Sequence, residues 1–203
     1  MSKAQATKEH IIQQAADVFN QRGYAGASMA DIMRATGLKK GGIYNHFNSK
    51  DELALAAFDF AVGLMVENYR AALRGKRHSV SRLKAIIDTF CTLIDSPPVK
   101  GGCPLLNTAI DSDDTHPDLC DRTRQAMDTW RAMIYKIITL GIKHQEIDPS
   151  LNADRATTVL IANLEGALMM SQLYNDKTHL LWVKQHLFDY LESIQIKQAP
   201  SNH

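Results

Sequence analysis

Two helix-start signatures stand close together near the N-terminus: Ser28-Met29-Ala30-Asp31 and Ser49-Lys50-Asp51-Glu52. In each, a hydroxyl at the cap position can accept from the main-chain N–H three residues on. The acid at that third position can reach back to the cap. Gly37 lies between them, and glycine is the residue that most easily closes a helix in the left-handed conformation. Residues 28–52 therefore hold a short helix ended by Gly37, a second short helix over residues 39–47, and the start of a third. Ala30, Ile32, Met33 and Ala35 supply apolar contacts for the first. Ile43 and Phe47, one turn apart, would pin the second to a core.

The rest of the chain continues in helical pattern, and strand-like alternation bounded by turns is missing. Residues 7–22 place Ile11, Ile12, Ala15, Val18 and Phe19 on one face, with Thr7 as cap and Gly23 as stop. Further helices are expected over residues 49–74, 80–95, 104–111, 117–144, 152–174 and 176–196. Pro97, Pro98, Gly101 and Gly102 force a loop at 96–102. The expectation is an all-α chain of about nine helices. Residues 1–50 would form an N-terminal three-helix domain, residues 51–197 a helical C-terminal domain, and residues 198–203 a disordered tail. The helix over 152–174 is apolar on several faces, which calls for cover on several faces. A second copy of the chain is an economical cover.

Formal net charge is +1, which conceals an asymmetry. Residues 1–50 carry seven Lys/Arg against three acids, a net +4, so the remainder is −3. A basic head on a mildly acidic body suits a nucleic-acid reader with a separate second domain. The N-terminus shows no apolar signal region, and no run approaches the roughly 18 apolar residues of a membrane span. The expected location is the cytoplasm, with no membrane partner. The three cysteines, Cys91, Cys103 and Cys120, form no metal knuckle or disulfide framework. No cofactor and no metal are expected. Asp113, Asp114 and His116 are read as helix-start residues rather than ligands, and His144, His179 and His186 have no metal-pair spacing.

Two short helices joined at Thr36-Gly37-Leu38 have the order and size of a helix-turn-helix, whose second helix enters the DNA major groove. Lys39 and Lys40 at its start can reach phosphate or a guanine edge. Gly41 and Gly42 keep the helix slim. Because a helical glycine costs about 1 kcal/mol relative to alanine, the pair points to a steric need. Tyr44, Asn45 and His46 would face outward, with groups suited to phosphate and sugar. Lys50 and Ser28 each sit at a helix start, where main-chain N–H groups also favour phosphate.

These residues resemble the TetR family of transcriptional repressors. The resemblance rests on Phe19 with Arg22-Gly23-Tyr24, on Ser28-Met29-Ala30-Asp31-Ile32, and on Gly37 through Phe47 followed by Ser49-Lys50-Asp51-Glu52-Leu53. It is close over about residues 7–55. It implies a homodimer joined through the last two helices of each subunit, and a C-terminal pocket for a small-molecule effector whose binding releases a pseudo-palindromic DNA operator. It carries phosphate contacts to Ser28, Tyr44, His46 and Lys50. The family often has Ser or Thr where Lys39 and Gly42 stand, which shifts base reading toward Lys39, Lys40 and Asn45.

In the second half, Cys103 would sit at a helix start, where a thiol is activated by the helix dipole. That raises an alternative, a repressor that senses electrophiles or oxidants through Cys103; a small packed residue is the plainer expectation. Trp130, Met133, Glu165 and Met169, with Tyr135 and Met170, are the other candidates for an effector pocket. A cysteine-dependent enzyme is the remaining class. It needs a base beside the thiol, and no histidine is placed by sequence to serve.

Overall fold

The structure, a computed structural model, describes residues 2–112 and 116–196. Asp113, Asp114 and the segment 198–203 lie outside the described residues. Nine α-helices are present among the described residues: α1 (Lys3–Gly26), α2 (Met29–Thr36), α3 (Lys40–Tyr44), α4 (Lys50–Leu73), α5 (Ser79–Cys91), α6 (Pro104–Ser112), α7 (Pro117–Lys143), α8 (Ala153–Leu173) and α9 (Thr178–Ser193). A single 3-10 turn, Thr92–Ile94, extends α5. No helix among the described residues is long and apolar enough to cross a membrane.

Several helix ends differ from the sequence expectation, each for a local reason. The first helix begins at Lys3 because Ser2 Oγ accepts from Gln5 N–H at 3.2 Å. Thr7 instead bonds back to the Lys3 carbonyl. The helical path breaks at Gly23, at φ 72°. Helix α3 is shorter than expected. Lys39 is its N-cap and Asn45 its C-cap, so Asn45, His46 and Phe47 form the turn that follows. Helix α9 stops at Ser193 because the next residues pair antiparallel with the α7–α8 loop. Asp148 N–H donates to the Ile194 carbonyl at 2.9 Å, and Ile196 N–H to the Glu146 carbonyl at 3.1 Å.

The chain divides into two compact units, with boundaries inside α4, after Glu67, between Asp95 and Ser96, and inside α7, after Met127. The first unit contains α1–α3, most of α4, α6 and the start of α7. Its core is Ile11, Ala15, Ile32, Ile43, Phe47, Leu53 and Ala57, with Ile12, Val18 and Phe19 packed alongside. Ala30 and Ala35 are exposed, so Met29, Ile32 and Met33 carry the contacts of α2. The second unit contains α5, α8 and α9 with the remainders of α4 and α7. Leu83, Ile86, Ile87, Phe90, Ile134, Ile138, Leu164, Leu187 and Leu191 are buried there. Trp130 is stacked between Phe90 and Tyr69, with ring centroids 5.7 and 6.2 Å away.

Gly141 has a steric role that its sequence setting does not announce. A Cβ at this position would lie 2.6 Å from Ile147 Cδ1 and 2.8 Å from Ser79 Cβ. Only glycine lets the end of α7 approach the start of α5 this closely.

Candidate nucleic-acid interface

The helix-turn-helix is built by local chemistry. Ser28 caps α2: its Oγ accepts from Asp31 N–H at 3.2 Å and donates to Asp31 Oδ2 at 2.6 Å. The Asp31 carboxylate in turn accepts from Ser28 N–H at 3.0 Å, completing the reciprocal box. Arg22 and Arg34 each lie 3.1 Å from Asp31 Oδ1. The Ser28 hydrogen bonds, helped by the two guanidiniums, hold the Asp31 carboxyl below the usual carboxylate range. Gly37 closes α2 at φ 70°, and the Thr36 hydroxyl accepts from Leu38 N–H at 3.3 Å across the turn.

Helix α3 is then seated by two side chains. Ile43 and Phe47 are almost completely buried in the core of the first unit, as the one-turn spacing predicts. Their burial decides which residues face outward. Lys39, Lys40, Gly41, Tyr44 and Asn45 are exposed, while Gly42 and His46 are half-buried. Lys40 Nζ lies over the Tyr44 ring at 5.5 Å, so cation and phenol share one patch. A Cβ on Gly41 would meet open space, and one on Gly42 only Leu38 Cβ at 3.6 Å, an ordinary contact. The protein itself therefore has no need of the two glycines. Any steric need comes from what the exposed face meets.

The second capping signature forms in part, because the Glu52 carboxylate reaches past the Ser49 cap to Asn48. Ser49 Oγ accepts from Glu52 N–H at 3.0 Å, and Glu52 Oε2 accepts from Asn48 N–H at 2.8 Å and Asn48 Nδ2 at 2.9 Å. This starts α4 with Lys50 in its first turn. Lys39, Lys40 and Lys50 form no ion pair with any described residue, so their charge is available to an outside anion. Ser28 is exposed at the start of α2, and it completes the set of nine residues expected at the interface.

The second-half candidates are not gathered in one place. Cys103 belongs to the first unit, where it precedes α6 and is only 1% exposed. A thiol closed off to that degree lacks the access that a sensing cysteine needs. Trp130, Met133, Glu165 and Met169 belong to the second unit. Trp130 and Glu165 are buried and Met133 is half-buried. Met169, at 49% exposed, is instead part of an outward-facing apolar set with Met170, and Tyr135 is exposed on α7. His116 is also packed: it is 6% exposed, and its Nδ1 accepts from Leu119 N–H at 3.2 Å. No group of three metal-ligating side chains occurs among the described residues. Sequence reasoning missed Tyr24, which contacts Lys50, Asp51, Asp111 and His116. Its sequence signals were its place after the Gly23 break and its part in the Arg22-Gly23-Tyr24 motif.

Comparison with known proteins agrees with this geometry. Residues 11–57 match the family model described as bacterial regulatory proteins, tetR family, and residues 79–187 match the tetracyclin repressor-like C-terminal domain. The crystal structure of a TetR transcriptional regulator from Chloroflexus aurantiacus J-10-FL is 44% identical. It covers 97% of this chain and 100% of its own, with a TM-score of 0.93. A TetR-family regulator from Cytophaga hutchinsonii is 31% identical, covering 98% of this chain and 99% of its own, with a TM-score of 0.86. The repressor DhaR of Mycobacterium sp. (strain GP1) is 22% identical over 85% of this chain and 86% of its own length. With its capped α2 and α4, its core-seated α3 and both halves matched, the chain belongs to the TetR family of transcriptional regulators.

Proposed function

We propose that this regulator is a repressor that binds a pseudo-palindromic operator as a homodimer and is released from it by a small-molecule effector. The observation that carries the DNA contact is the face of α3 and the first turn of α4. Three lysines without ion pairs surround a short helix held by Ile43 and Phe47. Lys39, Lys40 and Asn45 contact base edges or adjacent phosphates, with Gly41 and Gly42 allowing the main chain to approach the groove floor. Ser28, Tyr44, His46 and Lys50 clamp the phosphate backbone. Lys50 adds its charge to the N–H groups at the start of α4.

The dimer reading is supported by apolar side chains that one chain leaves in water. Val159, Met169, Met170 and Leu173 on α8 are exposed, as are Leu181 and Trp182 on α9, the last at 66%. Exposed apolar surface of this extent marks an interaction site. The effector reading is supported by the second unit, whose family match is to the repressor-like C-terminal domain and whose interior holds the Tyr69–Trp130–Phe90 stack and the buried Glu165.

The test is fluorescence anisotropy with duplex DNA from upstream of the protein's own gene, repeated over a salt series. The expected result is tight binding whose logarithm falls linearly with the logarithm of salt, by about 0.9 for each phosphate neutralised. Absence of salt-dependent binding would overturn the assignment.

A further inference from the structure

Tyr24 links three elements of the first unit to the first turn of α4. Its main chain is set from α6: with Gly23 at φ 72°, the Tyr24 N–H turns out of the α1 path and donates to Asp111 Oδ2 at 2.5 Å. Its ring is set from the start of α7, where the His116 imidazole meets it edge to face at 4.5 Å between centroids. Its remaining groups all act on α4. The Tyr24 carbonyl accepts from Lys50 Nζ at 2.5 Å, and the same ammonium lies 4.2 Å from the Tyr24 ring centroid. The Tyr24 hydroxyl donates to Asp51 Oδ1. Burial, then that hydrogen bond and the Asp51 charge, push the phenol up to about 12, so it remains a donor at any physiological pH.

The geometry points to Tyr24 as a positioning residue for DNA binding, acting through Lys50 and Asp51. This rests on the reading that Lys50 contacts phosphate. A lysine head on a four-carbon stem loses much rotamer freedom when it is fixed. Here the carbonyl and the ring fix it before DNA arrives. One ammonium proton is used, and two remain for phosphate oxygens. Asp51 is the complementary problem, because a carboxylate in the same helical turn repels a phosphate. The Tyr24 hydroxyl occupies one of its oxygens, and His116 Nε2 lies 3.9 Å from it. Because His116 Nδ1 accepts from Leu119 N–H, the imidazole proton sits on Nε2, the atom nearest Asp51. Tyr24 thus presents the cation of this turn and restrains its acid.

A double-mutant cycle with Tyr24→Leu and Lys50→Ala tests this, read by operator affinity and by its salt slope. Lys50→Ala is expected to weaken binding and reduce the slope by about one for each head. Tyr24→Leu should weaken binding about tenfold, the equivalent of ~1.4 kcal/mol, and move the slope toward that of Lys50→Ala. In the Lys50→Ala background it should cost only the Asp51 part, about threefold. Equal losses from Tyr24→Leu in both backgrounds would overturn the proposal and leave the Lys50 reading standing. No effect of Lys50→Ala on affinity or slope would instead remove the Lys50 reading, and this proposal with it. Should Tyr24→Leu fail to reach wild-type helicity, Tyr24→Phe replaces it. That variant keeps ring and carbonyl and loses only the Asp51 bond. It should weaken binding about threefold with the slope retained, and unchanged affinity would contradict the role given to the hydroxyl.

Discussion

The face of α3 with the start of α4, and the seam where α5 packs on α9, use lysine in opposite ways. On the seam, Lys84 pairs with Glu192 and Lys184 with Asp88, each at 2.7 Å, beside buried Leu83, Ile87, Leu187 and Leu191. Those charges are consumed within the chain. The hydrogen bond from Lys184 to Asp88 raises the affinity of the ammonium for its proton. On the proposed DNA-reading face, Lys39, Lys40 and Lys50 have no acid partner among the described residues, and the nearby acids are engaged elsewhere: Asp31 by Ser28, Asp51 by Tyr24, Glu52 by Asn48. Charge content alone does not separate a structural surface from a binding surface. The separation lies in whether the acids have been given other work.

Breaking each side should therefore have different consequences. The largest effect is expected from Phe47→Ala, which removes the ring that seats α3 and should cost about 3–5 kcal/mol. Thermal unfolding followed by circular dichroism should show the loss, and operator binding should vanish with it. Gly141→Val sharpens the comparison from the body. Crowding Ile147 and Ser79 should cost about 1–3 kcal/mol of stability, while the protein that remains folded keeps its operator affinity. Ser28→Ala should cost about 1 kcal/mol through the lost cap of α2, and should also weaken DNA binding. The smallest stability effect is expected from Lys184→Ala, below about 1 kcal/mol, because its ion pair is partly exposed; DNA affinity should not change. If Lys39→Ala behaved like Lys184→Ala in the binding assay, the distinction between the two surfaces would fail.

The pH dependence follows from the same caps. Asp31, Asp148 and Asp176 are all held below the usual carboxylate range, by hydrogen bonds from Ser28, Ser150 and Thr178 respectively. A depressed carboxyl adds stability above its unfolded value, near 4, and loses it as pH falls through the folded value. Chemical denaturation should thus show stability nearly level from neutrality to about pH 5 and falling below about pH 4.

What the sequence made legible was what is decided within a few residues. The Ser28 box, the Ser49 cap, the Gly37 stop and the burial of Ile43 and Phe47 all follow from spacings of three to nine residues. Helix ends were less legible where a distant segment competes. The end of α9 is set by pairing with residues 146–148, and no local pattern near Gln195 announces it. The same holds for Gly141, whose constraint comes partly from Ser79, and for Tyr24, whose hydrogen-bond partners lie 26 or more residues away. Cys103 was read from its place at a helix start. Its burial, which decides its access, depends on packing that a one-dimensional reading does not carry. Met169 illustrates the reverse. Its apolar character suited a pocket, and the structure puts it on the outer face of α8.

The central claim is that paired copies of α3 read DNA sequence, and selection from a pool of random duplexes tests it most directly. The account predicts enrichment of an inverted repeat whose half-sites are centred about one helical turn apart, 34–36 Å, or somewhat more. An Asn45→Ala variant should bind the same pool with relaxed preference within each half-site. Recovery of sequences with no shared half-site, or of a single unrepeated motif bound by one copy, would contradict it.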